Sequence, residues 1–169
     1  MLILLVGPKG AGKTHIGRLL ERELGVHFLH VESLWIDFRA RCVAAGREPS
    51  IAAGIEAVHP RIRTALARYP HVCVETTGAS REILDDLLAL AEREHTLIAR
   101  IVAPLDLCLT RIAGRDPTEQ LPVDPASCRR VHELSDALDL EADLVLENVA
   151  LTTGEIIGPF AALLDASRP

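Results

Sequence analysis

The chain has 169 residues, 24 acidic and 18 basic, for a formal charge of −6, and only Lys9 and Lys13 among its cations are lysines. Hydrophobic residues at 49% and charged residues at 25% are ordinary globular values, and a chain this long buries enough surface to hold a core without a disulfide or a metal, which excludes disorder and a mini-protein scaffold. One Trp, one Tyr and a net acidic balance lack the basic field and stacking aromatics of a nucleic-acid binder, and the same charge disfavours a membrane surface.

No stretch approaches the roughly 20 apolar residues of a membrane span. The opening Met1-Leu2-Ile3-Leu4-Leu5-Val6 lacks a basic leader, so it is expected to be structural rather than an export signal. Cys42, Cys73, Cys108 and Cys128 lie far apart and are expected as buried thiols of a cytoplasmic protein.

In chain order, residues 1–6 predict a buried strand, and a helix with Ile16, Leu19, Leu20 and Leu24 on one face follows the next loop. Residues 26–31 predict a second strand. The gap up to residue 69 is the longest between strands; it predicts two helices divided around residues 46–50, the second covering 50–69 and carrying Arg61, Arg63 and Arg68 as solvated cations. Residues 71–75 predict a third strand, Ile83, Leu84, Leu87 and Leu88 a helix, residues 97–103 a fourth strand, and residues 114–122 a loop. Asp124-Pro125 predicts an N-cap with proline at the first helical position, residues 143–147 a fifth strand, and Thr152-x-x-Glu155 a capping box opening the last helix. Apolar strands alternating with helices imply one α/β domain, residues 1–169, with a parallel sheet covered on both faces.

Gly7-Pro8-Lys9-Gly10-Ala11-Gly12-Lys13-Thr14 matches G-x-x-x-x-G-K-[ST] between a strand and a helix. Gly10 and Gly12 let consecutive amides, with that of Ala11, curl inward onto phosphate oxygens, and the helix beginning near Lys13 adds the positive end of its dipole. Lys13 suits the β- and γ-phosphates and the Thr14 hydroxyl suits Mg²⁺. Lys9 is expected to be a solvated loop residue.

With that motif in first place, the chain resembles the small-molecule and nucleotide kinases of the P-loop fold, the shikimate kinase-like and adenylate kinase-like group. The resemblance runs along essentially the whole chain and implies a three-layer fold with a five-stranded parallel sheet in the order 2-3-1-4-5, a small lid at about 112–126 and an acceptor-binding helical region at about 33–69. It implies an ATP- and Mg²⁺-dependent transfer of the γ-phosphoryl group to a hydroxyl or phosphate of a small molecule, by a monomer or homodimer. A nucleotide-binding ATPase or switch without an acceptor, and a toxin-like sugar-nucleotide kinase, are the alternatives; the single Gln, Gln120, falls in the lid.

In the stretch ending His30-Val31-Glu32, the resemblance makes Glu32 the acid that holds the acceptor hydroxyl and assists as base. His30 stands where the group has another acid. Glu32 also suits an acid on the dipole of the next helix. Glu75, in Glu75-Thr76-Thr77-Gly78, ends the third strand and faces the crevice of an open α/β sheet. It is a candidate for Mg²⁺ or acceptor binding, with Thr76 and Gly78 beside it. The ETTG turn departs from shikimate kinases and argues for a different acceptor. The resemblance further makes Arg111 the cation that covers adenine, Arg115 the lid arginine on the moving phosphoryl group and Asn148 a neighbour of the adenine edge; Arg130, on the next helix, is a candidate to complete the lid or to hold an anionic substrate.

Overall fold

Five parallel strands, ordered β2-β3-β1-β4-β5, run side by side in the computed structural model, which describes residues 1–91, 95–116, 121 and 124–167. They are β1 (Leu2–Val6), β2 (His27–Leu29), β3 (Val72–Thr76), β4 (Thr96–Val102) and β5 (Leu144–Glu147). The helices are α1 (Lys13–Leu24), α2 (Val31–Ala44), α3 (Ile51–Arg68), α4 (Arg81–Leu88), α5 (Leu105–Ala113), α6 (Pro125–Asp136) and α7 (Thr153–Ala166). The strand order is the one implied by the resemblance.

β1 is central, with Leu4 opposite Val74 on one side and Ile98 on the other. Its residues are all buried, because a strand with helices on both faces has no wet side. Ile3 and Leu5 pack with Ile16, Leu20, Ile156 and Phe160 of α1 and α7, while Leu2, Leu4 and Val6 pack with Val58, Ile62 and Leu84 of α3 and α4. The period-two alternation of one strand thus feeds two separate cores.

Local chemistry sets the helix starts. Ser50 and Ser80 accept from the Ala53 and Ile83 amides, Asp124 accepts from that of Ser127 with Pro125 behind it, and Thr152 and Glu155 form the reciprocal capping box. One border is corrected: β2 has only three residues, and Val31 opens α2 instead of closing the strand. The His30 carbonyl accepts from the Ser33 hydroxyl at 2.7 Å, so the chain is already turning there. Among the described residues no helix is long and apolar enough to cross a membrane. The four cysteines are free and buried.

Candidate active site

The carboxyl ends of the strands open on one side of the sheet, where ligands bind in folds of this kind. The loop after β1 lies there. Gly10 and Gly12 adopt φ of 86° and 97°, a region that favours glycine. A Cβ on Gly10 would run into the backbone of Cys108, and one on Gly12 into the Asn148 amide, so the loop is pinned against α5 and the end of β5.

Lys13, on the first turn of α1, is 7% exposed, and its Nζ donates to the carbonyls of Gly7 at 2.6 Å and Pro8 at 2.9 Å. Burial lowers its pKa to about 8, against the opposing pull of Glu75 and Glu32. Thr14 Oγ1 donates to Glu75 Oε2 at 2.9 Å. Glu75 is 8% exposed, and its Oε1 has no hydrogen-bond partner. His30 Nε2 lies 3.3 Å from that oxygen, likewise without a hydrogen bond. A hydroxyl and a buried carboxylate with an oxygen to spare are hard donors of the kind Mg²⁺ takes. The two glycines keep the loop clear of side chains, so the residues present fit Mg-nucleotide.

Glu32 sits in the first turn of α2. Its Oε1 accepts from Lys9 Nζ at 2.9 Å and from the Leu121 amide at 3.1 Å, while Oε2 lies 3.9 Å from Arg115 Nη1. Burial raises this carboxyl, but the hydrogen bonds from Lys9 and Leu121 and the charges of Lys9 and Arg115 outweigh it, so its pKa falls below the usual value. Lys9 corrects an expectation. It is not solvated: its side chain is 10% exposed and also donates to the Leu121 carbonyl at 2.9 Å. Phosphate loop, second strand end and the segment before α6 therefore meet at one carboxylate.

On the far side of the loop, Arg111 Nη2 donates to the carbonyls of Asn148 at 3.0 Å and Val149 at 3.2 Å, and Nη1 reaches those of Gly10 and Ala11 at 3.4 Å. Asn148, 6% exposed, donates from Nδ2 to the Ala11 carbonyl at 2.8 Å. Both residues thus brace the loop from α5 and β5.

Like Arg111 and Asn148, the expected residues Arg130 and Gly78 do not line the cleft. Arg130 is exposed and lies 3.5 Å from Glu133 on its own helix; α6 turns Cys128 and Val131 inward instead. Gly78 is buried, with φ of 70°, where a Cβ would press on Leu138 and Val6; it shapes the turn, while Thr76 and Thr77 line the cleft. Gln120 and part of the expected lid lie outside the described residues.

The cleft itself holds about 400 Å³. Lys13, Thr14, Glu32, Glu75 and Arg115 line one end; Trp35 of α2, Ile55 and Val58 of α3, and Ile83 and Leu87 of α4 line the other. No local sequence pattern marks Trp35, Arg39 or the inward face of α6 as lining it, and Lys9 is expected in solvent.

The family profile described as "AAA domain" matches residues 2–135. A shikimate kinase of Psychrobacter cryohalolentis is 30% identical over 145 residues, covering 81% of this chain and 72% of that protein. The chain is a P-loop kinase of this family. An adenylate kinase of Anaeromyxobacter dehalogenans is 27% identical to the kinase over 132 residues, 68% of the kinase and 59% of the relative, so the kinase spans less than two thirds of that protein. A sugar kinase of Janibacter superposes with a TM-score of 0.68 at 15% identity, over 99% of this kinase and 98% of that chain, a likeness of fold alone.

Proposed function

We propose that this kinase transfers the γ-phosphoryl group of Mg-ATP to a hydroxyl or phosphate of a small molecule bound between α2, α3 and α4. The observation that carries this is the continuity of the cleft: phosphate loop and apolar chamber share one space, with two carboxylates lining it. A hydrolase or switch needs no such chamber. The whole chain acts as one kinase domain, with a lid at about 112–126 and the acceptor region at about 33–69.

Loop amides and the Lys13 ammonium hold the β- and γ-phosphates; a compact point charge suits that place. Thr14 and Glu75 hold Mg²⁺. When bound, the metal neutralises charge on the phosphate oxygens. Arg111, braced on the loop, offers a guanidinium face to the base, and Asn148 holds the loop beside the base's edge. Arg115 faces the transferring group from the lid side and stabilises its charge.

Glu32 Oε1 is committed to Lys9 and Leu121, so Oε2 receives the acceptor. The acceptor oxygen forms a bond to the γ-phosphorus as the bond from phosphorus to the β-bridging oxygen breaks. The hydroxyl proton passes to Glu32 Oε2. A carboxylate held ionised is a weak base, which suffices because a loose transition state leaves the proton in place until late.

Labelled ATP with Mg²⁺ and a metabolite pool tests this. Transfer of label that Lys13→Ala abolishes is expected; acceptor-independent hydrolysis unchanged in Glu32→Gln overturns the role of Glu32.

A further inference from the structure

Away from the phosphate loop the lining of the cleft is mainly apolar. Its walls there are Val31 and Trp35 of α2, Ile55 and Val58 of α3, and Ile83 and Leu87 of α4, with Ile51 at 59% exposure lining it as well. The wall is preformed. The Trp35 indole rests on Gly54, where any Cβ would overlap the ring, and meets Phe38 edge-on at 6.0 Å.

The polar residues lining this half are few. Ser50 Oγ is engaged, accepting from the Ala53 amide. Arg39 lies one helical turn beyond Trp35, away from Glu32, and is exposed; His59 follows Val58. A polyol seated here would find Arg39 and His59 but otherwise mainly aliphatic and aromatic walls, and each hydroxyl buried without a partner costs about 1–3 kcal/mol.

We propose that the acceptor is an alcohol on an apolar body of ring size, seated against Trp35, Ile55, Val58, Ile83 and Leu87 with its hydroxyl toward Glu32 Oε2. This rests on the kinase reading and names its substrate class. The apolar body supplies the binding energy, and Glu32 fixes which atom faces the phosphate loop.

Trp35 is the only tryptophan of the chain, so its fluorescence reports on this half of the cleft without a label. The full chain is titrated with cyclohexylmethanol and 2-cyclohexylethanol, and separately with gluconate, shikimate and AMP. The alicyclic alcohols are expected to shift the emission saturably, and the added methylene to tighten binding about three- to fourfold. Ile55→Asn is expected to weaken them at least tenfold, and Ile51→Ser, at an exposed position where folding is not at stake, about threefold.

Absence of a saturable shift with the alcohols, or tighter binding of gluconate, shikimate or AMP, overturns the proposal. ATP binding, followed by calorimetry with a non-hydrolysable analogue, is read separately. Its failure removes the kinase reading while the Trp35 titration still decides whether the chamber takes an apolar body.

Discussion

The Thr14 hydroxyl donates to Glu75 Oε2 at 2.9 Å, joining the first turn of α1 to the end of β3 across 61 residues of chain. One oxygen from α1 and one from the end of β3 thereby share one spot, and Glu75 keeps Oε1 without a hydrogen bond. Glu75→Gln retains an acceptor for Thr14 but removes the charge. The Mg²⁺ concentration for half-maximal transfer is expected to rise about 10- to 100-fold, the range for loss of a group that tunes a metal site. A Mg²⁺ titration of the transfer rate measures it. An unchanged midpoint would take Glu75 away from the metal.

Lys9 and Glu32 form a second junction, at 2.9 Å with little exposure of either side chain. Removing Lys9 leaves Glu32 with only the Leu121 amide and a more distant Arg115. Lys9→Ala is expected to cost about 1–2 kcal/mol. A urea double-mutant cycle with Glu32→Gln should give a coupling of about 0.5–3 kcal/mol. The folded carboxyl titrates below its usual value, so its stabilisation is complete above the unfolded pKa and is lost as pH falls through the folded one. The coupling should therefore shrink in acid. Additive single effects at neutral pH would show that the pair contributes nothing.

What could be read in the sequence was what short-range patterns encode. Gly10, Gly12, Lys13 and Thr14 announce a phosphate loop because the backbone geometry needs those residues at that spacing. Thr152 and Glu155 announce a helix start for the same kind of reason. Lys9 was misread because its partners, Glu32 and Leu121, lie 23 and 112 residues away; nothing local marks a cation that will be covered. Arg130 was misplaced by the rotation of α6, where Cys128 rather than its neighbours faces inward. Val31 was assigned to β2 because an apolar run of that length does not distinguish a strand end from a helix start.

Gly54 and Trp35 make the shape of the acceptor chamber testable through stability. Ala at position 54 gains helix propensity, at most about 1 kcal/mol, but its Cβ overlaps the indole, and overpacking of this kind costs about 1–3 kcal/mol. Gly54→Ala should therefore be neutral to destabilising by about 2 kcal/mol, with a changed Trp35 emission in the folded state. Thermal unfolding and fluorescence report the two together. A more stable variant with unaltered emission would mean that the ring is not seated on the glycine.

Lys13 sets function against stability. Burial holds its pKa at about 8, against 10.5 when exposed, because the ammonium is desolvated and the charges of Glu75 and Glu32 compensate only in part. Below about pH 8 the side chain is charged in both folded and unfolded chains, and the burial penalty is complete. Between 8 and 10.5 the folded chain releases the proton while the unfolded chain keeps it, so stability rises with pH through that window. The gap between the two pKa values corresponds to roughly 3 kcal/mol. Lys13→Met has no such proton, so urea unfolding should show wild type gaining about 2 kcal/mol on the variant between pH 7 and pH 9.5. Bound phosphate favours the ammonium and reverses the shift, so nucleotide affinity should fall as pH rises through 8 in wild type. Parallel stability curves for the two proteins would show that Lys13 is solvated at the mouth of the loop instead of buried within it.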